Sequence, residues 1–514
     1  MPRVAFRCDA SPEIGSGHIA RCMALAHALR KKGAEVELIS RGLPDRVRNL
    51  LIESTGAVVH GLPQPSPKQA ATQDDGEPLP HTGWLPVAQK VDAEQTVELL
   101  RTGSAADWLI VDHYALDARW ERDVRPHVAN ILVIDDLADR QHACDALLDQ
   151  NFFLEAESRY AGRVPPHTEL MLGPKFALLR EEFAQARKQL AERDGRLRCI
   201  FVCFGGFDAA GQTLRALEAI ETAALDEVAV EIVISADHPQ RGQIESFCAR
   251  RRAYNVHLDA ANVAELMAPA DLAIGASGIM NWERATLCLP SIVASVAGNQ
   301  HVVARDLAAD RACIYLGLAR EWDSGTLGGL VRGLHGTPSL MRALASRAGQ
   351  LTDGLGARRV AARLLPRPIA LRRVTPADSS SIYAWRNAEE TRRYSLDQKA
   401  IPLEEHRKWL ERALNDPKVA LLVGECDEGP VGVVRYDIDD HRALASVYLV
   451  PGRQGQGLGT AMLRTGTRWM REHYPDVMEL RAAIKRDNAA SLEAFSNASY
   501  RVDTHNYTLD VRHG

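Results

Sequence analysis

The chain has 514 residues, 46% hydrophobic and 25% charged, with a net charge of −5. At about 100–200 residues per domain this length allows three folded units of ordinary globular composition. Interspersed charge excludes the basic stripe of a nucleic-acid binder, and no apolar run reaches the roughly 18 residues of a membrane span.

The first residues, Met1-Pro2-Arg3-Val4-Ala5-Phe6-Arg7-Cys8-Asp9, meet charge too soon for a signal peptide. Nine cysteines, scattered singly and without a Cys-x-x-Cys pair, read as reduced core residues of a cytoplasmic protein. Residues 4–8, 35–40, 108–112 and 131–135 are predicted strands, several almost entirely apolar, as in a parallel sheet covered on both faces. Between the first two, Ile19, Cys22, Ala26 and Leu29 share one helix face that Gly33 ends. Residues 62–86, rich in Pro, Gln and Asp, read as a surface loop. A second alternating set follows at 199–204, 228–234, 272–274, 291–293 and 313–316. Leu364-Leu365-Pro366-Arg367-Pro368 precedes a smaller α+β unit, with a helix over 402–414 and strands over 420–426, 431–437 and 445–450. The domains expected are 1–165, 166–366 and 369–514: two doubly wound α/β domains, then an α+β one.

Three turns lie where open α/β sheets bind ligands. After the first strand, Gly15-Ser16-Gly17-His18 opens a helix, in whose first turn a proton-accepting imidazole is well placed. In the second domain Phe204-Gly205-Gly206-Phe207-Asp208 suits a phosphate cradle. Gly275-Ala276-Ser277-Gly278 leads toward Glu283, whose carboxylate can accept from both ribose hydroxyls. Ala297-Gly298-Asn299-Gln300-His301 is a fourth strand-to-helix turn. In the last unit Val450-Pro451-Gly452-Arg453-Gln454-Gly455-Gln456-Gly457-Leu458-Gly459 joins a strand to a helix whose expected buried face is Leu458, Met462, Thr465 and Trp469. Its glycines let the backbone wrap an anion.

Gln454-x-x-Gly457-x-Gly459, with Asn488-Ala489-Ala490-Ser491 further on, resembles the GNAT acetyltransferase superfamily over about 369–511. The resemblance implies acetyl-CoA as cosubstrate, held by Val450, Arg453, Gln454, Gly455, Gly457, Gly459 and Asn488. Phe495 stands where many members have the Tyr that protonates the thiolate. Tyr448, Ser446 and Tyr500 are therefore the candidate acids. The stretch from Trp385-Arg386-Asn387 to His406 looks like acetyltransferases of UDP-4-amino-4,6-dideoxy-sugars; the alternative is an ordinary amphipathic helix.

Gly15-x-Gly17-His18-x-x-Arg21, Asp112-His113-Tyr114, Ile134-Asp135-Asp136-Leu137-Ala138, Leu148-Asp149-Gln150-Asn151 and Leu172-Gly173-Pro174 together resemble the UDP-2,4-diacetamido-2,4,6-trideoxy-β-L-altropyranose hydrolases of pseudaminic acid synthesis, which are GT-B-like. The fold class implied is two Rossmann-like domains of GT-B type followed by a GNAT domain. His18 is then the general base, with Asp9 and Tyr114 orienting water or sugar. Gly17, Arg21, Gly205, Gly206, Ser277, Gly278, Glu283, Asn299 and Gln300 would hold the UDP-sugar, and no metal is implied. Phe207 departs from the usual Ser, and the 62–86 loop is longer than usual. The competing readings are a GT-B glycosyltransferase, a UDP-sugar-binding module, and, for the last unit, a peptide acetyltransferase.

Overall fold

Seven short strands, β1 (Arg3–Cys8), β2 (Glu35–Ser40), β3 (Val58–Gly61), β4 (Ala106–Asp112), β5 (Val128–Ile134), β6 (Ala146–Asp149) and β7 (Glu169–Leu172), form one sheet in the computed structural model. Their order is β3-β2-β1-β4-β5-β6-β7, all parallel. The structure describes every residue except 12–13, 16, 44, 66–78, 206–207, 209–210, 367, 396–397, 486–487, 499 and 502–514. Every residue of β1 is buried, Arg3 and Arg7 included. Two arginines are tolerated there because each is paired: Arg3 Nε with Glu37 at 2.6 Å, Arg7 with Asp9 and Asp92 at 2.5 and 2.8 Å. The helix Gly17–Arg30 buries Ile19, Cys22, Ala26 and Leu29, and with them His18 and Arg21. The first sheet runs past residue 165, since β7 pairs with β6 through Leu172.

The second sheet comprises β8 (Cys199–Cys203), β9 (Ala229–Ile234), β10 (Tyr254–Leu258), β11 (Leu272–Ala276), β12 (Ser291–Ser295) and β13 (Ile314–Leu318). Its order is β10-β9-β8-β11-β12-β13, again all parallel. Both sheets follow the doubly wound Rossmann order, in which the chain reverses direction across the sheet after its third strand. Met1–Ala361 is one compact unit and Ala362–Gly514 another.

The second unit holds β14 (Ala370–Arg373), β15 (Val419–Cys426), β16 (Gly429–Asp439), β17 (Arg442–Leu449) and β18 (Glu479–Arg481) in that order. The first four are antiparallel neighbours, while β18 runs parallel to β17. The helix Leu458–His473 packs on this sheet through Leu458, Met462, Leu463, Gly466 and Met470. Thr465 and Trp469, expected on that face, are only half-buried, because Leu463, Gly466 and Met470 occupy its centre. Among the described residues no helix is long and apolar enough to cross a membrane.

Candidate active sites

In Rossmann sheets the reversal of strand order opens a place for ligands at the carboxyl ends of two neighbouring strands. In the first sheet these are β1 and β4, with Cys8 beside Asp112 in register. The chain leaves β1 through Gly15 (φ +80°) into the helix that carries His18 and Arg21. His18 Nδ1 lies 2.6 Å from Asp112 Oδ1. Arg21 holds the same carboxylate with Nε at 2.7 Å and Nη2 at 2.6 Å, and reaches Asp136 with Nη1 at 2.6 Å. An ionised carboxylate only accepts, so Asp112 selects the tautomer with the proton on Nδ1 and the lone pair on Nε2. Nε2 makes no hydrogen bond to any described residue. Burial alone would raise the Asp112 carboxyl, but Arg21 and His18 outweigh it and hold it below the usual carboxylate range.

Tyr114 donates its hydroxyl to Asp136, whose other oxygen accepts from Asn151 at 2.7 Å. Burial, reinforced by Asp136, pushes the Tyr114 phenol well up, so it serves as a neutral donor. One guanidinium among two carboxylates leaves one negative charge to stabilise an imidazolium as it forms.

Asp9 is placed otherwise than its expected role of orienting water or sugar requires. Its Oδ1 accepts from Arg7 at 2.5 Å, Ser40 Oγ at 3.1 Å and the Arg41 N–H at 2.7 Å, and Oδ2 lies 3.2 Å from His113 Nε2. His113 Nδ1 accepts from the Ala115 N–H, which puts its proton on Nε2, facing Asp9. Asp9 therefore anchors the end of β1, in a buried knot of Arg7, Arg41 and Asp92.

The stretch 62–86 is not wholly the surface loop its composition predicts. Residues 66–78 lie outside the described set, but Thr82–Trp84 forms a short turn. It stacks Trp84 on Tyr114 (ring centroids 5.2 Å, interplanar 21°) and edge-on to His18 at 5.7 Å, with His81 4.6 Å from Trp84. Burial lowers His81 against the pull of Asp139, which favours its neutral form. Sequence reasoning missed both residues; the one available signal was a tryptophan in a polar stretch.

Cys8, Cys22 and Asp112 bring possible metal donors within 4.8 Å of one another. The set does not fit a metal, because Asp112 is engaged by Arg21 and His18 and burial raises both thiols away from the thiolate form.

At the matching point of the second sheet Cys203 lies beside Gly275. Gly205 leaves β8 with φ +97°; Gly206 and Phe207 of the expected phosphate loop lie outside the described residues. Ser277 Oγ, after β11, accepts from Asn281 Nδ2 at 3.0 Å. Gln300 accepts the Val296 N–H at 3.0 Å and brings its amide nitrogen against Gly278, while Asn299 is exposed ahead of the helix Gln300–Ala309. Glu283, 12% exposed, has Arg180 3.9 Å away. Burial pushes its carboxyl up to about 7, helped by Glu182 and opposed by Arg180 and Arg284.

In the second unit β16 pairs with the whole of β17, but β18 meets β17 only at residues 442–444. From Ala445 onward that edge of β17 faces no strand among the described residues. The Val450 N–H is spent on Val431 O at 2.8 Å, so Val450 does not offer that amide to a ligand. Gly452, Gly455 and Gly457 have φ of +81°, +74° and +72°, where a side chain would cost about 1–2 kcal/mol. Gly459 follows in the first turn of the helix, 3.6 Å (from an added Cβ) from Ala494. Arg453 donates to Glu428 O at 2.7 Å, and Gln454 Nε2 to Glu390 at 3.0 Å. Asn488 caps the helix Ala489–Asn497 through Oδ1, leaving its amide hydrogens for another partner. Of the candidate acids, Ser446 is exposed, and the buried Tyr448 and Tyr500 hydroxyls have no partner among the described residues. Asn387 bonds both backbone groups of Ile401, and His406 bonds Ser379 O, so both have structural work in this unit.

Residues 369–500 match the acetyltransferase (GNAT) domain family. Over 283 residues the chain is 26% identical to the UDP-2,4-diacetamido-2,4,6-trideoxy-β-L-altropyranose hydrolase of Campylobacter jejuni subsp. jejuni serotype O:2, covering 54% of this chain and 86% of that protein. Among solved structures, MurG of Acinetobacter baumannii overlays with a TM-score of 0.48 at 15% identity, covering 71% of this chain and 99% of that one. Spermidine N-acetyltransferase from Vibrio cholerae overlays with a TM-score of 0.26 at 14% identity, covering 27% and 83%. The chain thus joins a C-terminal GNAT acetyltransferase domain to a Rossmann-type sequence similar to the UDP-2,4-diacetamido-2,4,6-trideoxy-β-L-altropyranose hydrolase.

Proposed function

We propose that the chain is a bifunctional, cytoplasmic enzyme of pseudaminic acid synthesis. Its second unit acetylates the 4-amino group of a UDP-4-amino-4,6-dideoxy-sugar from acetyl-CoA. Its first unit hydrolyses the product to UDP and 2,4-diacetamido-2,4,6-trideoxy-L-altrose, with inversion at the anomeric carbon. The observation that carries the hydrolytic half is the His18–Asp112 pair at the reversal point of the first sheet. Water attacks the anomeric carbon, its proton passes to His18 Nε2, and the bond to the UDP oxygen breaks. UDP leaves as a good anion, so it needs donors from the Gly205 and Ser277 turns more than it needs a proton. In acetyl transfer the amine nitrogen bonds the acetyl carbon, the C–S bond breaks, and the thiolate takes up the proton that the amine loses. The left-handed glycines of 452–457 and the open edge of β17 support a pyrophosphate and a pantetheine arm there.

The test follows CoA thiol and free UDP together, with acetyl-CoA and UDP-4-amino-4,6-dideoxy-N-acetyl-β-L-altrosamine in ¹⁸O water. Release of both, with the label in the sugar, is the expected result. UDP that appears only when a hydroxyl acceptor is added would make the first unit a glycosyltransferase.

Two further results are expected. Ribose hydroxyls that donate to Glu283 favour its ionised form. Because the free carboxyl sits near 7, UDP binding at neutral pH should release protons and weaken as the pH falls below that value. Calorimetry in buffers of different ionisation heat reads this, and Glu283→Gln should abolish the buffer dependence. Trp84→Ala removes the ring stacked on Tyr114. It should raise KM for the UDP-sugar roughly 10-fold while changing the inhibition constant of UDP little, as expected of a wall for the sugar. Equal weakening of sugar and UDP would rule that placement out.

A further inference from the structure

Arg284 is 1% exposed and lies under the ends of β8 and β11. A Cβ at Gly275 would sit 3.0 Å from its Nη1 and 2.0 Å from Cys203 O, so this crowding admits only glycine. The described partners of Arg284 are neutral. Nη2 donates to Ala276 O at 2.8 Å and to Asn281 Oδ1 at 2.6 Å, and Nε is buried without a partner. The buried arginines Arg7, Arg21 and Arg140 each hold an aspartate within 2.8 Å, whereas no carboxylate of a described residue comes within ion-pair distance of Arg284. Burial accordingly lowers it to about 10. Cys313, Cys203 and Glu283 pull against that shift without bonding the guanidinium; a buried charge with no bonded carboxylate is costly, and here it lies beneath the two turns assigned to the diphosphate.

The hydrogen bonds around it have a fixed direction. A guanidinium only donates, so it turns the Asn281 oxygen toward itself and the Asn281 NH₂ toward Ser277 Oγ. Ser277 Oγ then accepts from within, and its single O–H is left to donate outward. We propose that Arg284, Asn281 and Ser277 form a one-way relay that makes the Ser277 hydroxyl a donor to the leaving diphosphate, with Arg284 as its buried counter-charge. Arg284 and Asn281 are positioning residues, and the inference rests on the UDP-sugar reading of this site.

Asn281→Asp separates a relay from a merely structural network. Aspartate of nearly the same shape gives Arg284 an ion-pair partner but cannot donate, so Ser277 must turn its proton inward. Titration calorimetry with UDP and with uridine, on the full chain, reads the difference. Asn281→Asp should bind UDP about 10–100-fold more weakly, bind uridine as the wild type does, and melt no lower. Ser277→Ala should lose a similar factor for UDP, and the double variant should lose little more than either single one. The relay is overturned if Asn281→Asp keeps its UDP affinity, if uridine and UDP weaken together, or if Ser277→Ala binds UDP normally. A wild type that binds neither ligand overturns the UDP-sugar reading itself, and the relay with it.

Discussion

His18→Ala is expected to slow UDP release about 10²–10⁴-fold, the range of a general base, while CoA release from the same chain continues at the wild-type rate. The size follows from a lack of substitutes. His113 is buried, with Nδ1 taken by the Ala115 N–H and Nε2 turned to Asp9 at 3.2 Å. Tyr114 is held as a donor to Asp136, and Asp9 is bound by Arg7, Ser40 and the Arg41 N–H. His81 packs on Trp84 and Tyr114, but no carboxylate among the described residues bonds it as Asp112 bonds His18. Quenched-flow or coupled UDP assays on the acetylated sugar check the rate, and a thiol reagent follows CoA in parallel. A variant that still releases UDP at the wild-type rate would remove His18 from the chemistry. Loss of both activities together would point to unfolding rather than to a missing base.

Much of the scaffold is legible in the sequence for a simple reason. A parallel strand buried on both faces has to be apolar throughout, so residues 4–8, 108–112, 131–135 and 199–204 stand out. β3, β6 and β7 are four residues each, too short for a periodic signal. β7 thereby escapes notice, and the boundary expected at 165 falls short of it. Glycine turns at strand ends are equally visible, which is how His18, Gly205, Ser277 and the 452–457 loop are found. The partners of those turns are not visible. Asp112 matters because β4 lies beside β1, an adjacency made across some hundred residues of intervening chain. Trp84 sits in a polar stretch without periodicity. Arg284 looks like any helical arginine until the structure shows a buried cation that, among the described residues, bonds only a carbonyl and an amide oxygen. Asp9 errs in the other direction: an aspartate at the end of the first strand looks catalytic, but the arginine two residues earlier claims it.

The second large effect belongs to Asp112→Asn, where about a 10²–10⁴-fold loss in kcat for UDP release is expected, with the UDP inhibition constant unchanged. Asp112 takes four donors: His18 Nδ1 and Arg21 Nη2 at Oδ1, Arg21 Nε and Cys22 Sγ at Oδ2. An amide can accept on only one side. If its oxygen stays with Arg21 Nε, its NH₂ faces His18, pulls the lone pair to Nδ1 and moves the ring proton to Nε2, where it blocks the attacking water. If its oxygen stays with His18, the NH₂ opposes Arg21 Nε, and the negative charge that would stabilise the imidazolium is gone in either case. Asp136→Asn is the control, since Asp136 binds Arg21, Tyr114 and Asn151 but not His18. It should cost roughly 10-fold, the scale of a single weakened charge-assisted bond. A loss at Asp136 equal to that at Asp112 would shift the weight of the site from the tautomer of His18 to the placement of Arg21 and Tyr114. A small loss at Asp112 together with a large one at His18 would mean that Nε2 is free without help from its carboxylate.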